Sequence, residues 1–191
     1  PPTDDAESDI TAVVSVPTFN LYVGEANGYM HSLPAAGSAA AFLVPASGYP
    51  FRDTTSAITG GAVYDHVQNR LFFGNAAGHV YTLKAYTNPW TLNTNFFRFE
   101  TDDYLGATVA ITTAPLYRFG VLYVSNAGGN LFLIDANNGA GGQTLMKTYT
   151  VSTGALSDIS YDFTTNRIYV GTADGKFIAV PQVADPTPGS P

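Results

Sequence analysis

Three histidines, two acidic clusters and two glycine-rich runs are the parts of this 191-residue sequence whose residue types could do chemistry. His31 lies inside an apolar run, His79 follows a turn, and His66 sits in a connector beside Asp65. That is not the spacing of zinc ligands, and His66 with Asp65 reads as a solvated pair. NAGGN (126–130) and NNGAGG (137–142) could cradle a phosphate. Neither ends in G-K-[ST] nor opens a helix, so both read as turns. DANNG (135–139) offers oxygens from Asp135, Asn137 and Asn138 but lacks the spacing and the terminal Glu of a calcium loop. No G-x-S-x-G is present. The absence of Cys removes thiolate nucleophiles, disulfides and Cys-ligated metals.

Carboxylates cluster at Asp4, Asp5 and Glu7 and again at Asp102 and Asp103. Glycoside hydrolysis needs two of them about 5 or 9 Å apart across a sugar. Neighbours in a strand point to opposite faces, so Asp102 and Asp103 are expected to solvate rather than react. Trp90, in the loop sequence NPW, reads first as a hydrophobic plug. With Tyr86 and Tyr104 it also forms a candidate binding surface able to stack on a sugar ring. No catalytic residue, metal ligand or cofactor-binding residue is assigned. The expectation is a protein that is not an enzyme and has no cofactor.

The elements around these residues repeat. LYVGEANGYMHSL (21–33), LFFGNAAGHVYTL (71–83), LYVSNAGGNLFLI (122–134) and IYVGTADGKFIAV (168–180) share one pattern, with starts 46 to 51 residues apart. Such a period is the signature of a repeat architecture. An aliphatic residue, an aromatic and Val or Phe lead to a small residue at Gly24, Gly74, Ser125 and Gly171. Ala26, Ala76, Ala127 and Ala173 follow, and then an unvarying glycine at Gly28, Gly78, Gly129 and Gly175. Each block is predicted to be a β-hairpin whose glycine supplies the positive φ of the turn. Asn27 and Asp174 just before it suit a left-handed turn. The small residue implies close packing against a neighbouring sheet.

Upstream of each hairpin lies a further strand: 10–16, 57–64, 110–117 and 156–163. Downstream, 39–45, 95–100 and 144–151 supply a fourth strand to the first three repeats. After residue 180 come Pro181, Pro186, Pro188 and Pro191, which cannot donate to a ladder, so the last repeat lacks its outer strand. The fold class is therefore all-β: a β-propeller whose blades are four-stranded antiparallel meanders. A β-sandwich is the competing architecture, but it has no reason to repeat a whole meander four times.

The repeat core resembles the quinoprotein-like and YVTN-type β-propeller family over roughly residues 9 to 183. The resemblance implies a propeller and is nearly silent about chemistry. Family dehydrogenases hold a quinone cofactor between a Trp floor and a vicinal disulfide, beside calcium. This chain has no Cys, and its single Trp lies outside the repeats, so none of those roles carries over.

The expected organisation is an acidic, Pro-rich tail at 1–8, a propeller at 9–183, and a Pro-rich tail at 184–191. The repeats run about 9–50, 51–104, 105–153 and 154–183. A closed ring of four is preferred, because the chain ends where the fourth blade ends; half of an eight-bladed ring is the alternative.

Hydrophobic residues at 45% and charged residues at 12% argue against disorder. The net charge of −7, with Lys and Arg scattered singly, excludes a nucleic-acid footprint. No apolar run reaches the roughly 18 residues of a membrane helix. Abundant Thr, Gly, Asn, Ala and Tyr with little Lys or Glu, and a start at Pro1, point to an extracellular or cell-surface protein from which a leader has been removed. The expected partners are other copies of the chain, met through the tails and the bare edge of the last blade. A glycan or protein ligand of a larger adhesive surface protein is the second reading.

Overall fold

The hairpin turns set the geometry of the chain. In a computed structural model describing residues 10–16, 20–34, 51–68, 70–84, 96–136 and 144–181, all four repeat glycines lie at positive φ. The values are 91° at Gly28, 79° at Gly78, 81° at Gly129 and 82° at Gly175. Each glycine N–H donates to the carbonyl three residues earlier: Glu25, Asn75, Asn126 and Thr172. This is a three-residue loop, a tight turn followed by a left-handed residue. Asn27 does not itself take positive φ. Its side-chain oxygen accepts the Tyr29 N–H instead. In the second and third repeats a buried Asn at the head of the turn holds the loop. Asn75 accepts from Ala77 and His79, and Asn126 from Gly128 and Asn130.

The strands assemble into four antiparallel sheets in simple meander order. The first holds β1 (Ile10–Val16), β2 (Asn20–Glu25) and β3 (Met30–Pro34). The second holds β4 (Ile58–Asp65), β5 (Arg70–Asn75), β6 (His79–Lys84) and β7 (Phe96–Glu100). After a single helical turn, α1 (Asp102–Leu105), the third holds β8 (Leu116–Arg118), β9 (Val121–Ser125), β10 (Asn130–Asp135) and β11 (Thr144–Thr150). The fourth holds β12 (Leu156–Asp162), β13 (Arg167–Thr172) and β14 (Phe177–Pro181). The fourth strand expected at 39–45 lies outside the described residues.

Alternation along each hairpin gives every sheet two apolar faces, and successive sheets stack to bury them. Tyr22 and Met30 of the first sheet meet Leu71, Phe73, Tyr81 and Leu83 of the second. Phe72 and Val80 on the opposite face of the second meet Leu122, Val124, Phe132 and Ile134 of the third. Tyr123, Leu131 and Leu133 of the third meet Ile168, Val170 and Val180 of the fourth. The small residue at the centre of each hairpin permits this approach. A Cβ on Gly74 would overlap the Ile111 side chain of the next repeat.

A two-residue lead-in joins the third and fourth sheets to their predecessors. Ala110 accepts the Ala127 N–H of its own sheet, while the next residue, buried Ile111, donates to the Asn75 carbonyl of the sheet before. Ala155 and Leu156 repeat this with Ala173 and Asn126. The third lead-in was expected to continue as a strand through 110–117. It forms strand only at Leu116–Arg118, directly after Pro115, which has no N–H to give to a ladder.

One expectation therefore changes. Among the described residues the sheets carry three, four, four and three strands, the fourth strand expected of the first lying outside them. They resemble propeller blades but do not close into the expected ring. Among the described residues no core cluster joins the fourth sheet to the first. The described chain is an open arc.

The four turn glycines separate two costs. At Gly175 an added Cβ would meet nothing within 4 Å, so Gly175→Ala costs only the left-handed backbone, about 1–2 kcal/mol. At Gly129 the same Cβ would fall on the Ser152 carbonyl. Gly129→Ala is expected to cost more than about 3 kcal/mol. Urea unfolding of the two variants beside the parent measures the difference; equal losses would contradict this packing.

Candidate interaction surface

The densest group of polar side chains lies where the first and second sheets meet. Tyr81 is 1% exposed. Its hydroxyl accepts from the Asn75 amide at 3.0 Å, donates to Asp53 at 3.3 Å, and lies 3.1 Å from His79 Nδ1. Asn75 also reaches Thr54 Oγ1 at 3.2 Å, and Arg98 pairs with Asp53 at 2.7 Å. Burial pushes the Tyr81 phenol well above its ordinary pKa, so it stays an O–H and serves as a hydrogen-bonding strut rather than a nucleophile. The network pins residues 53 and 54 against the second turn. From the other side, a Cβ on Gly28 would strike the carbonyls of Thr54 and Ser56.

Beside it, Glu100, Asp102 and Asp103 bring carboxylate oxygens within 4.8 Å of one another. The sequence placed Asp102 and Asp103 on opposite faces of a strand. They instead open the helical turn α1, where an oxygen of each comes within 4.8 Å of the other. Glu100 is already paired with Arg98, and Asp103 is exposed. The corner is acidic, with one of its three carboxylates committed to an arginine.

The solvated pair expected of His66 and Asp65 does not form. His66 is exposed, whereas Asp65 is 2% exposed and bound by Arg70 Nη2 at 3.1 Å. Arg70 also donates to Tyr117 Oη at 3.2 Å and to the Ala136 carbonyl, both in the third sheet. Its guanidinium lies over the rings of Phe72 and Tyr117. One arginine thus neutralises a buried carboxylate and stitches two sheets together. The fourth sheet repeats the motif, YDFTTNR against YDHVQNR. There Arg167 is exposed at the free end of the arc, and Asp162 turns to Thr164 and Thr165.

Of the candidate binding residues, Trp90 and Tyr86 lie outside the described residues. Tyr104 is 50% exposed, and one face of its ring stacks on Phe99 at 5.2 Å. Two exposed apolar groups went unread in the sequence. Arg118 lies over Phe119, Tyr161 and Phe163 at 4.4–4.8 Å, with Phe119 53% and Phe163 71% exposed. Phe119 holds φ 47° before Gly120, a strained position for a bulky residue. The second group is the outward face of the fourth sheet, where Tyr169 and a 73%-exposed Phe177 stack at 5.4 Å. A signal for it existed: Phe177 occupies the repeat position of Met30, Val80 and Leu131, all core residues.

No family model matches the chain, and no curated protein matches it. Solved structures do. The computationally designed Ika4 protein superposes with a TM-score of 0.65 at 14% identity, over 93% of this chain and 94% of Ika4. The computationally designed Ika8 protein gives 0.68 at 15% identity, over 92% of this chain and 46% of Ika8. The WD40 β-propeller domain of Doa1 gives 0.67 at 11% identity, over 93% of this chain and 53% of that one. The chain spans about half the length of Ika8 and of the Doa1 chain. At these identities the likeness establishes a β-propeller-like fold and nothing finer. The quinoprotein-like and YVTN-type affinity expected from the repeat core is not among the findings.

Arg70 and Arg167 separate a stitch from an unused copy of it. Arg70→Leu strands the buried Asp65 carboxylate and is expected to cost about 3–5 kcal/mol. Arg167→Leu at the exposed end should stay within about 0.5 kcal/mol. Thermal unfolding in dilute solution, below any self-association, reads both.

Proposed function

We propose that this chain is a non-enzymatic, propeller-type structural module of the cell exterior that joins copies of itself. The observation that carries the reading is the unfinished arc. Its last sheet presents a Phe177 that is 73% exposed beside Tyr169, although the same repeat positions are core in the earlier sheets. Large exposed aromatics on an otherwise well-packed β-fold mark contact surfaces. The polar clusters support the same reading, since Asp53, Asp65 and Tyr81 are tied up in holding sheets together. Among the described residues no helix is long and apolar enough to cross a membrane. The low charge and the absence of Cys fit an exported building block. The Pro-rich tails and the edge of the last sheet are the proposed connectors.

The test is negative-stain microscopy with light scattering on the full chain and on a version lacking residues 1–9. Self-association predicts assemblies from the first and mostly single particles from the second. Single particles from both, at concentrations up to the solubility limit, would overturn the reading and direct attention to glycan binding at the exposed aromatics.

A further inference from the structure

The second and third interfaces within the arc share one plan, and the plan shows what the open end takes. The earlier sheet offers a carbonyl at the head of its turn and an alternating row of apolar side chains. Its successor offers back a lead-in aliphatic residue whose N–H meets that carbonyl. Ile111 does this to the second sheet, donating to Asn75, and its side chain occupies the space over Gly74. Leu156 donates to Asn126 of the third in the same way.

The chain carries one unmatched half at each end. On the fourth sheet the corresponding carbonyl is Thr172 and the row is Tyr169, Phe177 and Ala179; the space at Gly171 is bordered by Ser157 of the same sheet, whose Oγ accepts the Gly171 N–H. The opposite row, Ile168, Val170, Ile178 and Val180, already faces the third sheet. On the first sheet the lead-in position is Ile10. Strand register fixes this: Ile10 pairs with Glu25 as Ile58 pairs with Asn75 and Leu156 with Thr172. Val13, 55% exposed, and half-buried Leu21 fall on the face of the first sheet that no described neighbour covers.

Deepening the self-association proposed above, on which it rests, we infer that the outward face of the fourth sheet docks the first sheet of a second copy. Ile10 of the incoming copy takes the lead-in position beside the fourth sheet's turn, and its N–H donates to the Thr172 carbonyl. The occupant is another copy because the face is shaped for a lead-in of this repeat, and this chain supplies one whose own site is unmatched. Within one molecule the described sheets do not bring the two halves together. The arc also spans 46% of Ika8 and 53% of the Doa1 chain, so a second arc supplies about the length those chains have in addition. The contact is head-to-tail. It closes if two arcs complete a ring, and otherwise continues as a filament.

Two measurements test this. Phe177→Glu changes an exposed side chain, so folding is retained, and it should weaken assembly more than about tenfold by sedimentation velocity. The chain has no Cys, so Ile10→Cys combined with Gly171→Cys gives a clean cross-linking readout. Oxidation should yield disulfide-linked dimers or ladders from the double variant, and also from a mixture of the two single variants. If the parent assembles while Phe177→Glu assembles equally well and the cysteines do not link, this docking surface is wrong and self-association through the tails stands. A parent chain that stays monomeric at all concentrations overturns both. A disulfide formed only within one chain shows intramolecular ring closure and overturns the second-copy occupant.

Discussion

Everything in this molecule hangs on a two-residue joint between successive sheets. An alanine carbonyl closes onto its own hairpin turn, and the next residue donates its N–H to the turn of the sheet before. A three- or four-stranded meander cannot bury both faces alone, so the joint must align two apolar faces as well as satisfy backbone groups. It does both because the donating residue is also a buried aliphatic, Ile111 or Leu156. Hydrogen bonding fixes register at one point, and the aliphatic side chain keys into the space left by a small residue on the neighbour. The hydrophobic contacts that follow supply most of the stabilisation. They are laid down in a stack, each sheet depending on the next.

The polar groups fit that arrangement. Arg70 reaches from the second sheet into the third, and Thr59, Thr113 and Ser125 pass hydrogen bonds from one repeat to the next, ending on the Ser157 carbonyl. Tyr81, Asn75 and Asp53 do similar work at the first joint. Asp65 and Tyr81, which could be mistaken for reactive groups, are partnered where burial would otherwise make them costly. Exposed apolar side chains include Phe119, Phe163 and, on the last sheet's outer face, Phe177.

The hairpins were legible in the sequence to within a residue or two. Apolar alternation, the small residue and the turn glycine each have a local physical meaning that survives in any context. Three kinds of feature were not legible. The third lead-in looked like strand through 110–117, but strand begins only after Pro115, whose weight against the apolar run the sequence reading did not give. Asp102 and Asp103 looked like strand residues because no helix signal shows in so short a turn. The pairing of Asp65 with Arg70 rather than His66 depended on Arg70 lying opposite Asp65 across a strand pair, whereas proximity in the chain favoured the histidine.

By itself, then, the sequence determined four β-hairpin units, their turn geometry and the two-faced apolar character that obliges them to stack, because these follow from side-chain periodicity and glycine's freedom at positive φ. Only the tertiary structure decided that the described sheets do not close into a ring, and which apolar face is left exposed. Closure is a property of the cumulative rotation between packed sheets and of whether a lead-in meets the last one. Neither quantity is encoded in any single repeat.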